Sequence, residues 1–407
     1  MGRSAPPRPR TRRRWFRGAL LAAVLVPLLA VGVELTPLVP APRAPTDVAA
    51  WPVEGEITLE SALPGVTLQY VRAGFLWASR QADVFRSDDL GRSWARVGRL
   101  CPAEPGPADL LRHLAGRSHL ARALRPAGGI ETLLVLRSGT VLAAAGARIY
   151  RQVEGEGPFA VVHRQRTDPE WKKIFRQWGE DGSGDVWFGE YGVERLADSR
   201  ILVSRDDGLT FEVAHTFPRA GEPGGIRHVH GVQVDPFTDR VWVVTGDRPD
   251  ESRIGWLDGD GGFRAVGEGS RQWTAVSLMF TPDAVLWGTD ALREPCGIFR
   301  WDRESRETTR VAELDGPVFH SAVLADGRLL VATEIEGVGS DGVSLWLGED
   351  PGRWERVLAA PPYRDAERAK LGTFSFPLGD PLPVPMFTAD RIGEVERAAY
   401  LASWPGR

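Results

Sequence analysis

Cysteine is almost absent: Cys101 and Cys296 are the two thiols in 407 residues. So low a count excludes a disulfide scaffold, and their separation in sequence excludes a metal knuckle. Export would permit a bridge between them, although two unpaired buried thiols is the reading the sequence favours. Lysine is nearly as scarce, with Lys172, Lys173 and Lys370 beside 47 arginines. That skew reflects genome composition and says nothing about mechanism. Basic excess is also missing from the body of the chain. Residues 1–33 hold seven arginines and no acidic residue, which leaves the remainder with 43 basic against 54 acidic side chains, a net of -11. An acidic body argues against a nucleic-acid partner, since neutralising phosphates needs the opposite sign.

What is present reads as globular and β-rich. With 43% hydrophobic and 26% charged residues, the chain can bury a full core and is neither disordered nor collagen-like. Its 46 glycines, 31 prolines and 15 tryptophans favour turns and short aromatic strands over long helices.

The first forty residues read as an address. Residues 1–17 form an Arg-rich, cytoplasmic n-region, and Gly18 to Val33 are sixteen consecutive uncharged, mostly apolar positions. Residues 18–39 are therefore expected to be a signal peptide or a membrane anchor. Sixteen helical residues reach about 24 Å, short of a bilayer core of about 30 Å, but Leu35 to Val39 extend the span if Glu34 snorkels. No clean small-x-small cleavage site follows, so a retained anchor with the body outside is preferred to secretion after cleavage. Thr11-Arg12-Arg13-Arg14-Trp15-Phe16 resembles the twin-arginine export motif. Residues 40–50 are a short Pro-rich linker.

From residue 51 to 407 the chain reads as one repeated unit. A pattern of an apolar strand, a turn, a second strand rich in Trp and Val, and a linked third strand recurs about every 40 to 55 residues. The second strands align as Phe75–Ala78, Val141–Ala144, Val186–Gly189, Val241–Val244, Val285–Gly288 and Leu329–Ala332. These give six blades of an all-β propeller. A seventh is expected from Phe374–Pro385, Pro385–Ala389 and Ala398–Trp404, closed by Glu56–Glu60, so seven blades are preferred to six. Short helical insertions are expected at Pro107–Leu124 and Tyr363–Lys370, with a helical turn at Trp171–Phe175.

Two turns between third and fourth strands carry a signature. Ser87-Asp88-Asp89-Leu90-Gly91-Arg92-Ser93-Trp94 and Ser204-Arg205-Asp206-Asp207-Gly208-Leu209-Thr210-Phe211 share Ser-x-Asp-x-Gly-x-Ser/Thr-aromatic, or near variants of it. The Asp accepts hydrogen bonds from the turn, Gly takes φ > 0 and the aromatic pins the turn to the blade. In Ser87, Asp89, Gly91 and Trp94, and in Ser204, Asp206, Gly208 and Phe211, the chain resembles the Asp-box (BNR repeat) sialidase-like propeller superfamily. The resemblance covers nearly all of residues 50–407 and implies a fold without an activity, because Asp-boxes serve glycosidases, sorting receptors and assembly factors alike. The Arg-Ile-Pro element that sialidases show near the domain start is missing here.

Blade topology locates a site. Starts of first strands and ends of second strands meet at one rim of the central channel, opposite the Asp-box turns. First-strand starts offer Trp178, Glu180, Arg227, His228, His230, Arg271, Gln272, Trp273 and His320, and second-strand ends offer Glu190, Tyr191, Asp247, Asp290 and Glu334. His228 and His230, two apart on a strand, should share a face. Glu190, Tyr191, Asp247, Asp290 and His230 are catalytic candidates, and clustered carboxylates suit glycoside cleavage. Arg227, His228, Arg271, Trp273, His320 and Trp178 are candidates for substrate binding. His228, His230 and His320 could hold a divalent metal or form an acid/base pair, with Glu190, Asp247 or Asp290 as partners, though no cofactor is required by the sequence. The favoured expectation is an exported or tethered propeller that binds or cleaves an extracellular polysaccharide. A non-catalytic protein-interaction or assembly factor is the alternative, and a metal-dependent polysaccharide lyase the second.

Overall fold

The computed structural model describes residues 58–100, 129–153, 156–166, 177–191, 197–291, 295–335, 342–350, 352–362, 372–393 and 395–403. The chain divides into two units, residues 1–38 with 101–127 and residues 39–100 with 128–407, and every described residue belongs to the second. The expected address and linker over 1–50, all three helical insertions and Cys101 lie outside the described residues.

The second unit is an all-β propeller of seven blades, each built on a four-stranded antiparallel meander. Inner-to-outer strands of blade 1 are Thr67–Arg72, Phe75–Arg80, Asp83–Ser87 and Ala95–Arg99. Blade 2 runs Thr132–Val135, Val141–Ala145, Arg148–Val153 and Glu156–Arg164, and blade 3 Trp178–Glu180, Val186–Gly189, Ser199–Ser204 and Glu212–Phe217. Blade 4 follows with Val229–Val234, Val241–Thr245, Arg253–Leu257 and Phe263–Glu268, and blade 5 with Leu278–Phe280, Ala284–Gly288, Gly297–Asp302 and Thr308–Glu313. Blade 6 is Val318–Val323, Leu329–Thr333, Val343–Asp350 and Arg353–Ala360. Blade 7 takes Thr373–Ser375, Met386–Ile392 and Val395–Ser403 from the C-terminal part and its outer strand, Thr58–Pro64, from the N-terminal part. Pairing of Thr58 with Ser403 through Pro64 with Ala398 closes the ring, so no blade is left with an open end-to-end seam.

Burial explains which residues form which strand. Second strands are covered on both faces by neighbouring blades, and Val241–Thr245, Ala284–Gly288 and Leu329–Thr333 are buried throughout. Outer strands face solvent and mix exposed with half-buried positions, as in Phe263–Glu268. Each Val or Leu moved fully into this core contributes about 1.5–3 kcal/mol relative to exposure. Two second strands end in a glycine for a steric reason. A Cβ on Gly189 would lie 2.3 Å from Val229, and one on Gly288 would lie 2.5 Å from Val318. The next blade's inner strand therefore packs against bare backbone, and the chain emerges at the rim immediately afterwards, at Glu190 and Thr289.

The two signature turns share one conformation. Ser87 Oγ accepts from the Gly91 amide (2.8 Å), while Asp89 accepts from the Ser93 amide (2.8 Å) and hydroxyl (2.7 Å). Ser204 and Asp206 repeat this with Gly208 (2.9 Å) and with the amide (2.8 Å) and hydroxyl (2.6 Å) of Thr210. Gly91 and Gly208 have φ of 87° and 78°. The Trp94 indole donates to the Gly91 carbonyl at 3.0 Å, whereas Phe211 packs edge-on against Phe188 and His163. Asp207 accepts from Ser138 and Thr140 in the first turn of blade 2, which places this signature turn on the face of the first-to-second-strand turns.

Candidate functional site at the channel mouth

The opposite face gathers most of the charged candidates around blade 4. His230 stands in a β-bulge of the inner strand: Val229 pairs with Thr245 and Gly231 with Val244, so His230 is the extra residue between them. The bulge lets the two imidazoles lie over one another, 4.9 Å apart and 27° from parallel. Gly231 fixes the position from below, since a Cβ there would lie 2.6 Å from Gln177 Cβ on blade 3. Asp247 arrives from the end of the second strand after Gly246, which has φ of 70°.

Three ligand atoms converge. Asp247 Oδ1 is 2.7 Å from His230 Nε2 and 3.3 Å from His228 Nε2, and the two Nε2 atoms are 3.0 Å apart. Among the described residues these three side chains form the group whose potential ligand atoms lie within 4.8 Å of one another. Both imidazoles are buried, while the Asp247 side chain keeps 37% of its exposure and opens the group to the channel. His230 Nδ1 sits 2.8 Å from the carbonyl oxygen of Ala275 on the blade 5 side. A carbonyl only accepts, so Nδ1 carries the hydrogen and a neutral ring turns the lone pair of Nε2 toward Asp247. Nitrogen and carboxylate lone pairs aimed at each other need a positive charge between them, which a proton on Nε2 or a cation supplies. A backbone carbonyl behind the far ring nitrogen is the outer-shell arrangement of a metal-binding histidine.

Where protons rather than a cation occupy the Nε2 positions, burial would raise the pKa of Asp247, but hydrogen bonds from the two imidazoles and their charge outweigh it and hold the carboxyl well below the usual carboxylate range. Arg227 adds an ion pair to Asp247 at 3.5 Å and a 2.9 Å bond to the buried Glu251, and Arg271 donates to the Asp247 carbonyl at 2.6 Å. The Tyr191 ring leans on His228 with centroids 4.3 Å apart.

The other candidates are placed differently. Glu190 is fully buried and clamped by two arginines: Arg200 donates to both of its oxygens at 2.6 and 2.9 Å, and Arg166 grips both as well. Burial alone would raise its pKa, but Arg200 and Arg166 outweigh that effect and lower it. Its carbonyl accepts from the Val229 amide at 3.2 Å, so the clamp holds the strand that carries the histidines. Asp290 is half-buried with its amide bonded to the Thr274 carbonyl at 2.8 Å, and it is outside the convergent group. His320 is also outside that group, and Asp247 takes the third place that the histidine trio assigned to it. His320 instead lies 3.7 Å from Glu334 on blade 6.

Both candidate tryptophans are buried. Trp178 is 4% exposed, and its indole donates to Thr132 Oγ1 (3.2 Å) and the Leu133 carbonyl (3.3 Å), inside the seam between blades 2 and 3. Trp273 is 7% exposed and stacks on Trp287, with its ring against Gly267. Glu180 is not on this rim: it ends its inner strand beside Arg72 (3.4 Å) and Arg137 (3.5 Å), at the far end of the channel. A strand of only three residues carries Trp178 and Glu180 to different depths. Sequence reading missed Arg166, Arg200 and Glu251, because nothing local distinguishes two partners among 47 arginines.

No protein-family model matches the chain, and no curated protein does. Solved structures match its fold. An oligogalacturonate lyase in complex with manganese aligns with a TM-score of 0.53 at 12% identity, covering 88% of this chain and 96% of that one. A GH74 enzyme of Niastella koreensis aligns with a TM-score of 0.50 at 13% identity over 76% of this chain and 47% of its own length. A puromycin-hydrolyzing peptidase of Mycobacterium tuberculosis gives 0.50 at 14% identity over 85% and 53%. The chain therefore spans about half the length of the last two. A lyase, a GH74 enzyme and a peptidase at similar scores share architecture without sharing chemistry. What this chain has in common with them is the β-propeller fold.

Proposed function

We propose that the protein acts on an acidic extracellular polysaccharide, as a metal-dependent lyase whose divalent cation is held by His228, His230 and Asp247. The observation that carries the reading is the convergence of two Nε2 atoms and one carboxylate oxygen, with the His230 hydrogen committed to the Ala275 carbonyl. Two imidazoles and one carboxylate suit a first-row divalent ion and leave coordination positions for a substrate oxygen. Such an ion supplies positive charge that neutralises a sugar carboxylate and makes the adjacent C–H bond more acidic. Arg227 and Arg271 border the group and favour an anionic ligand, and Tyr191 walls one side. Manganese in the oligogalacturonate lyase of similar fold supports the choice of ion and sugar class.

Hydrolysis by a carboxyl pair fits less well. A glycosidase needs one carboxyl held protonated, and both Glu190 and Asp247 are held ionised. The two signature turns support placing the chain with the Asp-box propellers. The apolar stretch at 18–39 supports a tether that leaves the propeller outside the cell. Incubating the full chain and manganese with polygalacturonate and with a neutral glucan tests the reading. Ultraviolet absorbance from an unsaturated product should rise with the acidic polymer alone. No product from either polymer, or product from the glucan alone, contradicts it.

A further inference from the structure

A second imidazole and carboxylate stand on the same side of the blades and are unused by the cation group. His320 follows a bulge in the inner strand of blade 6, where Val318 pairs with Thr333 and His320 with Ala332. Its Nε2 lies 3.7 Å from Oε1 of Glu334, the residue after the second strand. Glu334 is 2% exposed, and the Thr373 hydroxyl of blade 7 donates to the same oxygen. The His320 side chain retains 16% of its exposure. Both histidine sets border one segment of blade 5: His230 bonds the Ala275 carbonyl, and Ser277, two residues on, bonds Ser321 beside His320 at 2.8 Å.

The two pairs differ in chemistry. In blade 4 two imidazole nitrogens share one carboxylate oxygen, which is a donor set for a cation. In blade 6 one imidazole faces one buried carboxylate, the arrangement of a base and its orienting partner. A carboxylate facing Nε2 favours the hydrogen on that nitrogen, leaves the lone pair on Nδ1, and stabilises the charge the ring gains on taking a proton. A separation of 3.7 Å is longer than a hydrogen bond, as contacts between catalytic groups often are without substrate.

We propose that His320 is the proton acceptor of the elimination and that Glu334 is its positioning residue. The inference rests on the lyase reading above. Nδ1 of His320 takes the proton from the sugar carbon that bears the carboxylate. The C–H electron pair becomes the new carbon–carbon double bond as the neighbouring carbon releases its glycosidic oxygen. That oxygen takes a proton from water, and the imidazolium returns its own to solvent. No oxidant or reductant enters.

The test uses the full chain with manganese, polygalacturonate as substrate and a galacturonate oligomer as binding probe. His320→Asn should keep wild-type manganese content and oligomer affinity while kcat falls by about 10²–10⁴-fold. Glu334→Gln should leave KM unchanged and lower kcat by about 10–100-fold. Wild-type kcat in His320→Asn overturns the assignment and leaves the cation group standing. Loss of oligomer affinity equal to the loss of kcat also overturns it, since His320 would then serve binding. A wild-type chain that binds manganese and the oligomer but yields no unsaturated product overturns the lyase reading and this assignment with it.

Discussion

Asp206 and Asp247 both sit where a strand gives way to a turn, and they are satisfied in opposite ways. Asp206 takes its hydrogen bonds from Ser204 and Thr210, no more than four residues away and all neutral. Asp247 is held by His228 and His230, nineteen and seventeen residues earlier, with Arg227 beside them and Arg271 of the next blade on its backbone. The first aspartate is completed by its own hairpin, and its carboxylate is consumed in shaping it. The second is completed only when the inner and second strands of blade 4 pair, with Arg271 added from the segment leading to blade 5. Its partners are ionisable groups that can exchange a proton for a cation. Closure within one turn makes a structural part, and convergence across two paired strands gathers groups able to do chemistry.

Substitutions should separate the two. The largest effect is expected from Asp247→Ala, which removes one of the three proposed ligands. Manganese affinity should fall by more than the about 10–100-fold that loss of an outer-shell partner costs, with little change in melting temperature. Calorimetric titration reads the first quantity and thermal unfolding the second. Next comes Glu190→Gln, which leaves Arg166 and Arg200 facing a neutral amide in a buried position. A fully buried broken pair costs about 3–5 kcal/mol. Both arginines reach solvent, so screening reduces the expected loss to about 2–4 kcal/mol, measured by urea unfolding. Since Glu190 also holds the Val229 amide, manganese affinity should weaken as well.

Asp206→Ala should do the reverse of Asp247→Ala, lowering stability by about 1 kcal/mol while manganese binding is untouched. The Asp206 carboxyl is lowered from 3.8 to about 2, chiefly by the Thr210 hydroxyl and amide. Its contribution is therefore complete above pH 3.8 and lost as pH falls through about 2. Unfolding followed across that window should show a shallower pH slope in the variant. The smallest effect concerns His163, packed edge-on between Phe188 and Phe211. Burial holds its pKa below 6.5, with Glu190 opposing and Arg200 adding to the shift. The folded chain prefers the neutral ring, so stability is full above 6.5 and erodes as pH falls below it. His163→Phe should flatten the urea midpoint over that range, and a slope equal to wild type would contradict this.

The same contrast explains what could be read from the sequence. Second strands such as Val241–Thr245 and Leu329–Thr333 stand out because burial on both faces demands unbroken apolar runs. The signature turns stand out because their whole hydrogen-bond set lies within eight residues. The seventh blade was legible in its C-terminal strands, and its closure by Thr58–Pro64 agrees with the early strand expected to fasten the ring. At the mouth, His228 and His230, with Asp247 as one of three carboxylate partners, were legible, but which carboxylate joins them, and that His320 stands apart, was not. A bulge sets the direction of His230, and neither its place nor Gly231's approach to Gln177 leaves a local pattern. Rim topology alone also could not tell the seam-filling Trp178 and Trp273 from exposed platforms, because that depends on what the adjacent blade presents.

In the proposed arrangement His228, His230 and Asp247 hold the cation and His320 has no part in it. Calorimetric titration of the full chain with manganese, compared across wild type, His230→Ala and His320→Asn, tests it most directly. A single saturable site is expected in wild type, lost in His230→Ala and retained in His320→Asn. Equal binding by wild type and His230→Ala, or no binding by wild type, would contradict it.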